Sequence, residues 1–176
     1  MPTAINKPAV KNLAHSSTNH TPGISFTLHY AIVEEVVTEP VLNAVTTTGS
    51  LTDNISATGT FTFETGKGFG SMRCSKMPEA TEKTMANGSS ENTMDLHFLD
   101  SDEAKGFRHT YRTSQLILVF KDANGKWRKY GTLSFPVTIS ESEAKNADGS
   151  LVVKLTASVQ PIAILPADFV PAAPAA

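Results

Sequence analysis

Residues 93–112 read TMDLHFLDSDEAKGFRHTYR, and this stretch decides the fold. Met94, Leu96 and Phe98 alternate with polar residues over 93–99, the period of a strand with one buried face. The period then changes. Ala104, Phe107 and Tyr111 recur at spacings of three and four, which predicts one short helix over 101–112 with a single apolar stripe. Asp100 and Glu103 stand as a capping-box pair at its start. Asp102 and Glu103 lie near its N-terminus, and Arg108, His109 and Arg112 near its C-terminus, as the helix dipole favours. Gly106 weakens such a helix by about 1 kcal/mol relative to alanine, so burial of the stripe must hold it.

Downstream, Leu116 to Phe120 is continuously apolar, the mark of a strand covered on both faces. Asp122 to Gly125 then supplies a hairpin turn. The hairpin is read over 115–140, its return strand placing Trp127, Leu133, Phe135, Val137 and Ile139 on one face. Residues 141–149 read as a polar loop and 150–160 as a closing strand that alternates Leu151, Val153, Leu155, Ala157 and Val159. Upstream, Phe26, Leu28, Tyr30 and Ile32 alternate with polar residues over 24–33, and Val36 and Val37 extend that strand towards Pro40. Residues 46–59 form a loop that Leu51 and Ile55 can tack to the core. Phe61 and Phe63 mark a further strand over 60–65.

The expected architecture is mainly β: an antiparallel β-sandwich or barrel, residues 24–160, with one flanking α-helix. Phe107 and Tyr111 should pack on a sheet that includes Phe98, Leu118 and Phe135. Residues 1–23 show no period and read as an arm. Residues 161–176 are rich in proline and alanine and read as an extended tail without a core.

Residues 66–90 hold four glycines and no clear period. Structureless connections of that length are uncommon in compact domains. Methionine adapts to irregular contacts, so one reading is a loop that packs on another subunit through Met72, Arg73, Lys76, Met77 and Met85. A partly disordered loop or a short hairpin are the other readings.

The 176 residues suffice for one domain with a proper core. A net charge of −2 gives no bulk attraction to nucleic acid or membrane. The single cysteine, Cys74, excludes an intramolecular disulfide and a cysteine-based metal motif. No apolar run has the length of a membrane span or the form of a signal peptide, so synthesis and folding in the cytoplasm are expected.

Chemistry is sparse. The glycine run from Gly66 to Gly70 lacks the lysine–serine ending and the following helix of a phosphate-binding loop, so it reads as a turn. The histidines, His15, His20, His29, His97 and His109, lack metal-ligand spacing, and His29 and His97 fall on polar strand faces. No nucleophile elbow surrounds any serine. Arg73 and Lys76 could activate Cys74, yet an ordinary thiol is the simpler reading. The reading is a non-enzyme with no catalytic, metal or cofactor residues and no cofactor.

From Met94 onward the order of elements resembles the tail tube proteins of long-tailed bacteriophages. The resemblance runs through MDLHF at 94–98, the acidic-capped helix DSDEAKGFRHTYRT at 100–113, LILVFKDANGKWRKYGTLSF at 116–135 and LVVKLTASVQP at 151–161. It covers about 70 residues. It implies a structural virion protein that self-assembles into stacked hexameric rings, a tube for DNA that passes without specific binding, built in the host cytoplasm with other tail proteins. It implies no membrane partner. A capsid decoration protein, or another surface-binding β-sandwich module, is the alternative.

Overall fold

The computed structural model describes residues 26–48, 50–76, 79–84, 90–99, 102–145, 150–158 and 162–175. In chain order the strands begin with β1 (Phe26–Ile32), β2 (Val36–Thr38), β3 (Val41–Leu42), β4 (Ala57–Thr58), β5 (Thr62–Phe63), β6 (Gly70–Cys74), β7 (Glu79–Thr84) and β8 (Ser90–Leu99). Helix α1 (Asp102–Tyr111) follows. Then come β9 (Leu116–Lys121), β10 (Trp127–Tyr130), β11 (Thr138–Lys145), β12 (Ser150–Ser158) and β13 (Ala163–Ile164). The fold is mainly β, with one α-helix among the described residues and antiparallel pairing throughout its sheets.

Two sheets carry the architecture. One has the order β13-β10-β9-β1-β6, the other β11-β12-β8-β7. Leu28, Tyr30 and Ile32 of β1 and Leu116, Leu118 and Phe120 of β9 share a core with Met94, Leu96 and Phe98 of β8 and Val153 of β12. The helix stripe closes that core: Ala104, Phe107 and Tyr111 are buried within it. Tyr30 lies edge-on to Phe107 and Tyr111, with ring centroids 5.1 and 5.2 Å away. Phe98 and Leu118 join as expected. Phe135 does not; it is only partly buried, in the turn after Gly131.

That turn corrects the reading of 115–140 as one hairpin. The tight turn itself is as read: Gly125 has φ 75° and donates to the Asp122 carbonyl at 2.9 Å. The return strand, however, stops at Tyr130. Gly131 takes φ 86°, a value that disfavours side chains, and a Cβ there would lie 2.6 Å from Val137 Cγ2. The chain turns through residues 132–135, where Phe135 N donates to Thr132 Oγ1 at 2.9 Å. Val137 and Leu116 then exchange both backbone hydrogen bonds at 2.8 Å. From there β11 enters the other sheet, so one continuous return segment serves two sheets. It also runs to Lys145, into the stretch read as a polar loop.

The opposite face of the five-stranded sheet has its own core. Ala31, Ile117 and Val119 pack there with Ala57, Phe69, Ala163 and Leu165. Here the tail reading is overturned. Ala163 and Leu165 are buried, β13 pairs with β10, and Leu165 N donates to the Trp127 carbonyl at 3.0 Å. Prolines do not prevent this, because the apolar residues Ile162 to Leu165 precede Pro166. β1 is correspondingly not a one-faced strand, since His29 packs edge-on to Trp127 at 5.6 Å. A 3-10 turn, Val33–Glu35, interrupts its extension towards β2. Leu51 does not tack its loop down; it is 86% exposed.

Candidate assembly interface

The segment read as an inter-subunit loop contains two strands. β6 pairs with β1 from Phe26 opposite Cys74 to Tyr30 opposite Gly70. β7 pairs with β8. Gly70 permits the first pairing, because a Cβ there would sit 2.4 Å from the Tyr30 ring. Met72 is therefore a core residue at 2% exposure, not a contact residue for a neighbour. Alternation places Met72 and Cys74 inward and Arg73 outward. Lys76 is exposed just beyond the strand. Met77 and Met85 lie outside the described residues, as do the arm of residues 1–23 and Asp100 of the capping box.

The surroundings of Cys74 disfavour its reactive thiolate form. Its thiol is buried, and burial pushes its pKa up to about 12. His97 is not on an open polar face: it is buried, and its Nδ1 has no hydrogen-bond partner among the described residues. Its carbonyl accepts from Ser75 N at 2.8 Å and Ser75 Oγ at 3.1 Å, which ties β6 to β8 where the two sheets meet. Burial lowers the pKa of His29. Among the described residues no group of three or more His, Cys, Asp or Glu side chains could hold a metal ion. Among them also, no helix is long and apolar enough to cross a membrane.

Sequence reading missed one charged pair. Lys129 is 3% exposed, and its Nζ donates to Glu39 Oε2 at 2.8 Å and to the Pro40 carbonyl at 2.6 Å. Glu39 Oε1 accepts from Leu133 N at 2.8 Å. The pair fastens the start of the 39–58 excursion to β10. No local signal marks it, because 90 residues separate the partners. A second pair joins Lys67 to Glu35 at 2.7 Å; the hydrogen bond to Glu35 raises the lysine pKa. At the hairpin, burial raises the Asp122 carboxyl, but Arg128 and the Lys126 and Asn124 amides outweigh it and hold the pKa low.

What the geometry offers is edges. Leu116 to Phe120 offers none: β9 is interior, paired with β1 on one side and β10 on the other. The outer strands of the four-stranded sheet are β7 and β11, and among the described residues neither has a second neighbour. β7 and the 141–145 half of β11 lie in segments read from sequence as loops, because neither carries an apolar alternation. One face of their sheet is the core. On β8 the other face carries Thr93 and Asp95, both partly buried.

No protein-family model, characterised protein or solved structure matches this chain.

Proposed function

We propose that this chain is a structural virion protein that closes into rings and stacks into the tail tube of a long-tailed bacteriophage, a conduit for DNA. The observation that carries the reading is the four-stranded sheet whose outer strands, β7 and β11, each keep one edge without a neighbour among the described residues. Unpaired strand edges are templates for further strands. Joining β7 of one copy to β11 of the next extends the sheet from copy to copy. Head-to-tail contacts of this kind form a ring when the rotation between copies closes. Hexameric order is what the family resemblance implies.

Charge is compatible with this role. β7 contains Glu79, Glu82 and Lys83, and β11 contains Glu141, Glu143 and Lys145. Edge charges discourage promiscuous pairing, while opposite charges set across a strand pair favour a particular register. A chain of net charge −2 has no general attraction for DNA, which suits passage without binding. The reading assigns no catalysis, cofactor or membrane partner. It places the protein in the virion, assembled in the host cytoplasm with other tail proteins.

Negative-stain microscopy of concentrated purified protein tests it: rings and tubes are expected. The Lys83→Glu, Lys145→Glu double variant leaves both edges wholly acidic. It should abolish rings while leaving the circular dichroism spectrum unchanged. Protein that stays monomeric at high concentration would sink the tube reading in favour of a decoration protein that needs a preformed shell. The segment 72–85 cannot be deleted as a loop. Its removal would take Met72 and Cys74 from the core and β7 from its sheet.

A further inference from the structure

Residues 166–175 lie over an aromatic groove. Phe169 is the anchor: its ring centroid is 5.9 Å from Phe61, 6.1 Å from Phe69 and 5.4 Å from Trp127. Phe69 N donates to the Ala172 carbonyl at 2.7 Å. Gly68 has no room for a side chain, since a Cβ would lie 2.7 Å from Ala172 O, Ala173 C and Pro174 N. The glycine run that resembles a phosphate loop is thus the floor on which a peptide backbone rests. Pro166 opens a turn in which Phe169 N donates to its carbonyl at 3.1 Å, and Pro171 and Pro174 restrict the backbone beyond it, so such a segment loses little freedom when it docks. Extended proline-bearing peptides on aromatic-lined grooves are a recurring mode of recognition.

The seat is shallow compared with the residues just before it. Leu165 is buried and hydrogen-bonded to β10, whereas Phe169 is only partly buried and Val170 is 78% exposed. A cavity of about 250 Å³ remains beside the segment, lined by Gly59, Thr60 and the phenylalanines. With Leu165 fixed, ten residues at about 3.1 Å each could reach roughly 30 Å from their own groove.

We propose that this groove is a peptide-docking site whose partner is residues 166–175 of a second copy of this chain. The groove fits that segment because the segment already occupies it. Exchange re-forms the same contacts between copies and therefore costs little. It becomes favourable as concentration rises. The proposal does not depend on ring formation.

The test uses the full chain with Phe169 replaced by the photo-crosslinker p-benzoylphenylalanine, an aromatic of similar position and larger ring. Irradiation should give covalent dimers whose share grows with protein concentration, cross-linked to residues 59–69 of the other copy. Cross-links confined to single chains at every concentration would overturn the proposal. Fluorescence anisotropy of a labelled peptide of residues 162–175 gives an independent reading. Full-length Phe169→Ala protein should bind it at least tenfold more tightly than unchanged protein, and equal binding by the two would count against the groove. Dimer cross-links in a protein that forms no tubes would support the exchange and sink only the tube reading.

Discussion

The two faces of the five-stranded sheet are covered in different ways. On one, α1 and β8 of the second sheet bring residues in regular period: Phe107 and Tyr111 from the helix, Met94, Leu96 and Phe98 from the strand. On the other, Ala57, Phe69, Ala163 and Leu165 arrive from short strands and irregular backbone in two separate stretches of the chain, 57–69 and 163–165. Both faces exclude water from their central residues; Leu118 and Val119, neighbours in β9 that point opposite ways, are each fully buried. Regular elements are therefore not what makes a core here. Apolar residues at the right places on irregular backbone do the same work, provided something else fixes that backbone. Glu39 and Lys129 do so at one end of the excursion, and the parallel bridge between Ser56 and Ile164 does so at the other.

The sharpest test of that equivalence is a pair of truncations. Phe107→Ala and Phe69→Ala each empty a site of 1% exposure, and each should cost about 3–5 kcal/mol in denaturant melts. A cost below about 1 kcal/mol for Phe69→Ala alone would show that the irregular side yields freely and is no true core. Lys129→Ala comes next. It leaves the Glu39 carboxylate without its cation in a nearly dry site, and removal of one partner of a buried pair costs about 3–5 kcal/mol. A stability change within about 0.5 kcal/mol would mean that the excursion is held by other contacts. Leu165→Ala should cost about 2–5 kcal/mol, the range for a buried leucine, if the segment after β12 is part of the fold. Unaltered melting would return it to the status of a tail.

The smallest effect is a pH dependence on the irregular side. Burial lowers the His29 pKa from the ordinary 6.5. The unfolded chain thus binds a proton that the folded chain resists, so stability is full above pH 6.5 and falls as pH drops through the lowered folded value. His29→Gln should flatten the melting temperature between pH 7 and 5 relative to the unchanged protein. An identical slope in the variant would assign the dependence to other groups.

This contrast also explains what could be read from sequence. The helix over 101–112, the β8 alternation and the doubly buried β9 were legible because their apolar residues keep a period. β6 was hidden by glycines, although Met72 and Cys74 alternate, because Gly66, Gly68 and Gly70 read as a break. Gly70 is there to admit the Tyr30 ring, which no local pattern discloses. The edge strand β7 and the second half of β11, 141–145, were lost for the opposite reason: they carry charges where a strand reading looks for apolar residues. The tail was misjudged by its average composition, which hid Ala163 and Leu165 beside the prolines. The departure of β11 into a second sheet depended on Gly131 adopting a left-handed backbone, and a lone glycine does not announce which neighbour it will turn towards.

One feature of the sheet order bears on how the chain is made. β1 is interior, flanked by β6 and β9, so its second edge waits for Leu116 to Phe120. Ribosomes add about 5–20 residues per second. The nascent chain therefore carries Leu28, Tyr30 and Ile32 on a half-paired strand for several seconds, with α1 unable to dock over them. Pairings between residues so distant in sequence also slow refolding, towards the millisecond-to-second range of non-local β proteins. Production at low temperature or with added chaperone capacity should raise the soluble yield, because the vulnerable interval is set by the order of synthesis and not by the stability of the finished fold.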